Sequence, residues 1–571
     1  MKAVLSGNEA IARGAYEHGV GFASAYPGTP STEILENIKR YDDIESQWSA
    51  NEKVAFEVAM GASVGGLRSL TAMKHVGVNV AADPLFTFAY TGVNGGFILV
   101  SADDPGMHSS QNEQDNRMLA KAAKIPVLEP SDSQEAKDFV GYALEISEKF
   151  DTPVLLRMTT RVSHSKSVVT LGERTFVRKE YKKDFNKFIS LPSNARKLRV
   201  TVEERLENLK QFGETFVGNK MEINERRVGI ITSGIAYQYA KEVMPNASFL
   251  KLGLSYPLPD RLVREFASKV DRLYVIEELD PVIEEQVRNL GIEVLGKDVI
   301  PGIGELNPDL IRKALLNEER SAEGEELPVR LPVLCPGCGH RAFFYTLKKN
   351  GIASTGDIGC YTLGAYPPLD AIDTCFCMGA SVTAALGLEK ANGQDFARKW
   401  VAVLGDSTFI HSGITGLIDV LYNGGTTTVC ILDNHITAMT GHQQNPATGK
   451  NIKNQPTKQL DIQKLVEAVG VEHVRVVDPN DLAALERTIL EEVARPEPSV
   501  VIVRRPCVLI EKANRKPFRV ENCKKCGACF KLGCPAIEKQ EKEAVINPVL
   551  CTGCGVCQQL CKFNSISQEA Q

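Results

Sequence analysis

The sequence has no excess of positive charge, no long apolar run and no apolar leader. Lysine and arginine number 66 against 71 aspartates and glutamates, for a net charge of −5 and a pI near 6.1. That balance lacks the electrostatic footprint of a nucleic-acid partner. No stretch approaches the roughly 20 apolar residues of a membrane-spanning helix, so no membrane is expected. The start, MKAVLSGNEA, lacks the apolar core of a secretory signal, and a cytoplasmic protein is the simplest reading. What is present is a 571-residue chain, 43% hydrophobic and 24% charged, long enough for about three to five globular domains. Cysteine is plentiful: there are 15, eight of them between Cys523 and Cys561. In a reducing compartment such a cluster points to metal ligands rather than disulfides.

Two short apolar runs, 401–404 and 428–432, flank a helix-compatible segment and predict a βαβ unit of a buried parallel sheet. Ligands of such sheets sit beyond the carboxyl ends of the strands, where this chain carries Gly405-Asp406-Ser407 and Asp433-Asn434. Mg2+ takes oxygen ligands and completes its octahedron with phosphate oxygens. Asp406, Asn434 and the carbonyl of Ile436 offer such a set, with Gly405, Ser407 and Thr440 as neighbouring cofactor contacts. This pattern resembles the diphosphate-binding motif of thiamine diphosphate (TPP) enzymes. The tripeptide alone reads better as a helix-capping aspartate in an ordinary βαβ turn; the second strand, with its Asn at matching spacing, turns the balance to a cofactor. Gly379 opens a small-residue helix that lets backbone approach a cofactor, although a packed core helix would look the same.

Residues 1–165 alternate strand-like and helix-like stretches: a helix over 8–18, a strand over 21–25, a helix after Pro30-Ser31, a helix over 54–67, and strands over 96–101, 125–128 and 153–158. That order predicts a doubly wound α/β domain. Tyr26-Pro27-Gly28-Thr29-Pro30 makes a tight turn at a strand end, and Ser31 or Thr32 with Glu33 can cap the next helix. Glu52 opens an Ala- and Gly-rich helix, where the helix dipole favours a carboxylate in any case. In TPP chemistry a carboxylate at N1′ of the aminopyrimidine promotes the tautomer that deprotonates the thiazolium. Glu57, further along the same helix, is the rival. Residues 166–225 are polar and Lys-rich and read as a linker with an exposed helix. A second α/β block spans 226–319, with Glu277-Glu278 at a strand end read as a solvated edge. Residues 320–327, acidic and rich in small residues, read as another linker. The block 328–512 holds the βαβ unit and further helix–strand pairs.

Cys335-Pro336-Gly337-Cys338 is compatible with a zinc half-site, a redox pair or an iron–sulfur half-site. Further cysteines stand at Cys360, Cys375, Cys377, Cys430 and Cys507; Cys430, in mid-strand, reads as a small buried apolar residue. The tail, 513–571, reads Cys523-x2-Cys526-x2-Cys529-x4-Cys534-Pro535, then Cys551-x2-Cys554-x2-Cys557-x3-Cys561. This is nearly the two-cluster run of bacterial ferredoxins, in which the fourth cysteine of each motif ligates the other cluster. Crossing assigns Cys523, Cys526, Cys529 and Cys561 to one [4Fe-4S] cluster and Cys551, Cys554, Cys557 and Cys534 to the other. Zinc is the minor alternative. The first motif has one residue more than the ferredoxin run, and Lys562 replaces the proline after Cys561.

The runs SGNEAIARGAYEHGV, ASAYPGTPSTEI and WSANEKVAFEVAMGAS, with the cysteine motifs, resemble the TPP-dependent 2-oxoacid:ferredoxin oxidoreductases over essentially the full length, and within them the α subunits of the indolepyruvate branch. The resemblance implies a pyrimidine-binding TPP domain at 1–165, a transketolase C-terminal-like domain at 226–319, a pyrophosphate-binding TPP domain at 328–512 and a ferredoxin-like tail. It implies Glu52 as the catalytic carboxylate, Thr29 beside cofactor or substrate, and Cys335, Cys338, Cys360 and Cys507 as a third [4Fe-4S] site near TPP. The segment Ser101-Ala102-Asp103-Asp104 holds no arginine where pyruvate-specific relatives anchor the substrate carboxylate. The implied activity is oxidative decarboxylation of aryl pyruvates, indolepyruvate foremost, through an enamine oxidised one electron at a time, with coenzyme A as acyl acceptor. The implied partners are external ferredoxin and a separate β subunit, in a heterodimer or a dimer of heterodimers. A non-redox TPP decarboxylase or carboligase and a pure electron-transfer module are the alternatives.

Overall fold

The computed structural model describes residues 1–318, 328, 330–511 and 516–568. The 320–327 linker and the junction near 512 lie outside the described residues. The chain divides into two compact units, Met1–Gly324 and Glu325–Gln571. Among the described residues no helix is long and apolar enough to cross a membrane.

The first unit contains strands β1 (Lys2–Ser6), β2 (Val20–Ala25), β3 (Glu45–Trp48), β4 (Arg68–Lys74), β5 (Phe97–Asp103), β6 (Val127–Leu128), β7 (Val154–Thr159), β8 (Lys166–Thr170), β9 (Lys220–Glu222), β10 (Glu225–Thr232), β11 (Ala247–Lys251), β12 (Leu254–Tyr256) and β13 (Leu273–Ile276). Its main sheet has the order β12-β6-β7-β5-β4-β2-β3 and is parallel except for β12. β5 and β7 are buried along their whole length, as central strands covered on both faces must be. β3 and β4 escape the sequence reading because their polar residues, Glu45-Ser46-Gln47 and Arg68-Ser69, hide the strand pattern. A second sheet has the order β13-β10-β11-β9.

Three sequence readings need correction. Residues 166–225 are not a loose linker: β8 pairs with β1, β9 pairs with β11, and the helix Pro192–Gly213 buries Val202, Leu206 and Leu209. The 226–319 block is not separate either, because β12 joins β6 in the first sheet. Nor are Glu277 and Glu278 a solvated edge; they are 1% and 4% exposed. Arg117 explains why, since its guanidinium donates to Glu277 at 2.7 Å, to Asp115 at 2.6 Å and to the carbonyl of Glu278 at 2.7 Å. Arg157 donates to Asp103 at 2.6 Å and to Glu129 at 2.7 Å. Burial pushes Asp103 and Glu277 up, toward the protonated form. Against the same burial, the two guanidiniums hold Asp115 and Glu129 down.

The second unit contains β14 (Ala353–Gly356), β15 (Thr374–Cys375), β16 (Trp400–Gly405), β17 (Thr428–Asp433), β18 (His473–Val477), β19 (Ser499–Arg504), β20 (Arg519–Val520), β21 (Ile537–Gln540), β22 (Glu543–Ile546) and β23 (Ile566–Ser567). The order β15-β14-β16-β17-β19-β18 makes a six-stranded parallel sheet. β16 and β17 are neighbours, as the apolar runs predict. The tail adds two small antiparallel pairs, β20 with β23 and β21 with β22.

Arg117→Met leaves buried acids without their cation. The first unit should lose about 3–5 kcal/mol of stability, seen as an earlier transition in denaturant titration, with partial recovery when Glu277→Gln is added. An unchanged transition would remove the network from the list of what holds this unit together.

Candidate active site

Three neighbouring strands of the second unit each deliver an aspartate at the carboxyl end: Asp357 after β14, Asp406 after β16, and Asp433 closing β17. Gly405 pairs with Leu432, so Asp406 and Asp433 stand on the next rung. Asp433 accepts from Arg504 Nε at 2.8 Å through Oδ2. Its Oδ1 is buried without a hydrogen bond, and His435 Nδ1 lies 3.5 Å away. Burial, then repulsion from Asp433, pushes Asp406 up to about 7. This crevice holds more negative charge than the protein neutralises, which is what a divalent cation would relieve.

The loop after β17 folds back over the strand ends. Asn434 accepts from the backbone N–H of Ile436 at 3.2 Å, Thr437 donates to Ser407 at 3.1 Å, and Asn445 donates to Asp406 at 3.4 Å. Ile436 is buried, and Thr440 donates to Gln443 at 2.5 Å. Directly after Asp406-Ser407-Thr408 the helix widens into one π turn, Phe409–Gly413, a feature frequent at functional sites. Gly379 has φ +87°, and a Cβ there would overlap Ser412 Oγ.

Sequence reasoning named Asp433 at its strand end without giving it a role and passed over Asp357, although both follow the same strand-end rule that singled out Asp406. Asp357 accepts from the N–H of Gly379 at 2.8 Å and of Ser381 at 3.0 Å, which fixes the start of the helix Ala380–Asn392. Tyr361, next to Cys360, shares a 2.8 Å hydrogen bond with Thr408.

Cys335, Cys338, Cys360 and Cys507 are brought together. Burial raises all the shifted thiols, Cys338 to about 12 and Cys360 to about 11, and the neighbouring cysteines add to it. Cys507 feels Asp406 as well, and its sulfur lies 3.9 Å from His442 Nε2, a neighbour the sequence does not signal. Cys430 is buried in β17, as read from sequence. Cys375 and Cys377 lie near Asp357 instead.

The tail thiols divide between two cavities. One is lined by Cys534, Cys551, Cys554 and Cys557 together with Pro336, Gly337 and Cys338. The other is lined by Cys523, Cys526, Cys529 and Cys561. In both motifs a left-handed glycine, Gly527 or Gly555, starts a short helical turn that carries the third cysteine. Backbone N–H groups reach the sulfurs of Cys551, Cys523 and Cys561 at 3.4, 3.4 and 3.2 Å. Among the described residues no three acidic, His or Cys side chains converge as ligands of a single ion would. In a polynuclear cluster each iron takes its own thiolate, so its ligands ring a cavity.

In the first unit, Glu52 begins the helix Glu52–Val64, capped by Asn51, which accepts from Val54 N–H at 2.9 Å. Its side chain is buried against Gly77, where a Cβ would come 2.8 Å from Oε1. Glu57 points elsewhere, paired with Lys53 at 2.9 Å. Thr29 follows Gly28, whose backbone packs on the Lys74 stem, and Ser109 donates to the Thr29 carbonyl at 3.4 Å. The expected side-chain cap from Ser31 is not made; its hydroxyl donates to the Gly28 carbonyl at 2.7 Å, because the turn claims it first.

A model of the C-terminal TPP-binding domain of thiamine pyrophosphate enzymes matches residues 357–503. A model of the thiamine-diphosphate-binding part of pyruvate flavodoxin/ferredoxin oxidoreductases matches residues 13–209. Indolepyruvate oxidoreductase subunit IorA of Archaeoglobus fulgidus is 42% identical, over 99% of this chain and 97% of its own. The chain belongs to the IorA family of indolepyruvate oxidoreductase subunits. The IorA protein of Pyrococcus horikoshii is 40% identical over 99% of this chain and 97% of its own. A solved 2-oxoglutarate:ferredoxin oxidoreductase from Magnetococcus marinus superposes with a TM-score of 0.47 at 17% identity, over 55% of this chain and 65% of that one. As an IorA-family member, the chain is a subunit of a TPP-dependent 2-oxoacid:ferredoxin oxidoreductase, and its parallel-sheet domains are TPP-binding domains.

Asp406→Asn separates stability from binding. The folded state holds this carboxyl above its unfolded value, so its contribution to stability is present at low pH and fades as pH rises through about 7. Without cofactors the variant should match the native chain only at about pH 4 and below, where the carboxyl is protonated in both states, and melt higher at pH 8. Its Mg2+-dependent TPP affinity, read by calorimetry, should fall on the order of 100-fold. Native-like affinity would exclude Asp406 as a ligand.

Proposed function

We propose that this chain is the cofactor-bearing α subunit of an enzyme that oxidatively decarboxylates aryl pyruvates, indolepyruvate foremost, to the aryl-acetyl-CoA and CO2 while reducing ferredoxin. The observation that carries this reading is the adjacency of two chemistries in the second unit. Asp406 is close enough to Cys507 to act on its thiol, and the 335–338 loop walls the cavity of Cys534, Cys551, Cys554 and Cys557. Electrons leaving a cofactor at the strand ends would thus meet thiol-lined sites. The aryl substrate is supported by the names of the full-length relatives, indolepyruvate oxidoreductase subunits.

Bound TPP supplies the carbon nucleophile and electron sink for decarboxylation, and iron–sulfur centres supply one-electron acceptors. In this reading Asp406, Asn434 and the Ile436 carbonyl hold Mg2+ on the diphosphate, with Gly405, Ser407, Thr440 and Gly379 as its surroundings. Glu52 holds the proton at the pyrimidine nitrogen, a role suited to a buried carboxylate pinned at a helix start. Thr29 sits by the substrate. Cys335, Cys338, Cys360 and Cys507 carry one [4Fe-4S] cluster, and the two tail cavities of a ferredoxin-like domain carry two more. The buried thiols favour the protonated form, so loading iron displaces protons. The complex is completed by a β subunit, with coenzyme A and external ferredoxin as co-substrates.

The test is anaerobic co-purification with the partner subunit, assay of iron and TPP, and a 2-oxoacid panel. Glu52→Gln should keep native iron and TPP and lose at least ~100-fold in kcat. A fully active glutamine variant would sink the assignment of Glu52. Native protein lacking TPP and iron would sink the function, and full CoA-dependent turnover by the isolated chain would remove the need for a partner.

A further inference from the structure

One buried cation lies between the 335–338 loop and the tail. Arg341, in the helix Gly339–Asn350, is 5% exposed. Its Nη1 donates to the carbonyls of Leu532 at 3.0 Å and Gly533 at 2.6 Å. Its Nη2 donates to the carbonyls of Leu334 and of Cys335, the latter at 3.4 Å. All four acceptors are uncharged, and Nε is buried with no hydrogen-bond partner. The acidic groups that act on this guanidinium are thiols, those of Cys534, Cys338, Cys335 and Cys554. Arg341 also lines the cavity of Cys534, Cys551, Cys554 and Cys557.

The extra residue of the first tail motif acquires a purpose here. The 3-10 turn Ala528–Leu532 ends at Gly533 with φ +60°, where a Cβ would come 2.6 Å from the Pro368 ring. That turn presents the carbonyls of Leu532 and Gly533 to Arg341. A ferredoxin motif of ordinary length would not contain the added residue.

A buried guanidinium facing only dipoles is costly unless an anion stands near it. Four thiolates outweigh the positive iron–sulfide core, so a loaded cluster is anionic, and more so once reduced. We infer that Arg341 is the shared counter-cation of two clusters, the one on Cys335, Cys338, Cys360 and Cys507 and the one on Cys534, Cys551, Cys554 and Cys557, and that its charge raises both reduction potentials. A fixed positive charge in a low-dielectric surrounding favours the form with the added electron. Arg341 is absent from the lining of the Cys523, Cys526, Cys529 and Cys561 cavity, so that third site is the internal control. The inference rests on the cluster reading above.

The experiment is an EPR-monitored reductive titration of the anaerobically purified full chain with its partner. Iron analysis of the native protein comes first; absence of iron defeats the cluster reading itself, whereas the titration tests Arg341 alone. In Arg341→Met the reduced-to-oxidised ratio of two clusters at fixed potential should fall at least tenfold, about 59 mV for a one-electron couple, with the third unchanged. Arg341→Lys, which keeps the charge, should hold all three within about threefold of native. A methionine variant with native iron and three native potentials overturns the inference, as does an equal shift of all three. If the methionine variant loses iron, the lysine variant decides: native iron and potentials uphold the inference, and loss of iron or a tenfold fall overturns it.

Discussion

Repulsion between buried carboxylates at the ends of adjacent parallel strands is the constraint from which the C-terminal unit is built. β14, β16 and β17 run side by side, and each contributes an aspartate at its carboxyl end. Asp357 spends its charge on backbone N–H groups, and Asp433 spends half of its on Arg504. Asp406 accepts from Asn445 at 3.4 Å and from backbone N–H, yet burial and Asp433 push it up to about 7. A site of this kind is unfavourable when empty and suited to a cation bridging to phosphate. The loop after β17, bound back through Thr437 and Asn445, is positioned to enclose what binds there.

Charge balance distinguishes the two units. In the first, two arginines and four carboxyls form a buried cluster in which burial pushes Asp103 and Glu277 up while the guanidiniums hold Asp115 and Glu129 down. Such a cluster is structural: it ties β5, β7 and the helix Asn116–Ala123 to the segment after β13. In the second unit the charges do not balance locally. Asp406 and Asp433 leave a negative excess, and Arg341 leaves a positive charge beside neutral thiols. Perturbed groups left without partners mark places where something else is meant to sit.

The proposed function accommodates both imbalances. TPP-binding domains need a metal–diphosphate crevice at strand ends, and an oxidoreductase that hands on single electrons needs acceptors near it. On the proposed reading, having Cys507 near Asp406, and the 335–338 loop against a tail cavity, shortens the distance an electron would travel.

Much of this was legible in the order of residues. Alternating apolar runs predict the α/β sheets, the strand-end rule finds Asp406, and cysteine spacing alone divides the tail into two sets of four, because these features are local and periodic. What only the tertiary structure decided are the pairings made across long stretches of chain. Glu277 and Glu278 read as a solvated edge until Arg117, 160 residues away in sequence, is seen to bury them. The segment 166–225 reads as linker because its strands have few residues and find their partners, β1 and β11, far off in the chain. Arg341 looks like any helix arginine until the turn before Cys534 folds against it. Spacing specifies which residues are available for chemistry; burial and charge, which depend on everything packed around a residue, decide what each of them does.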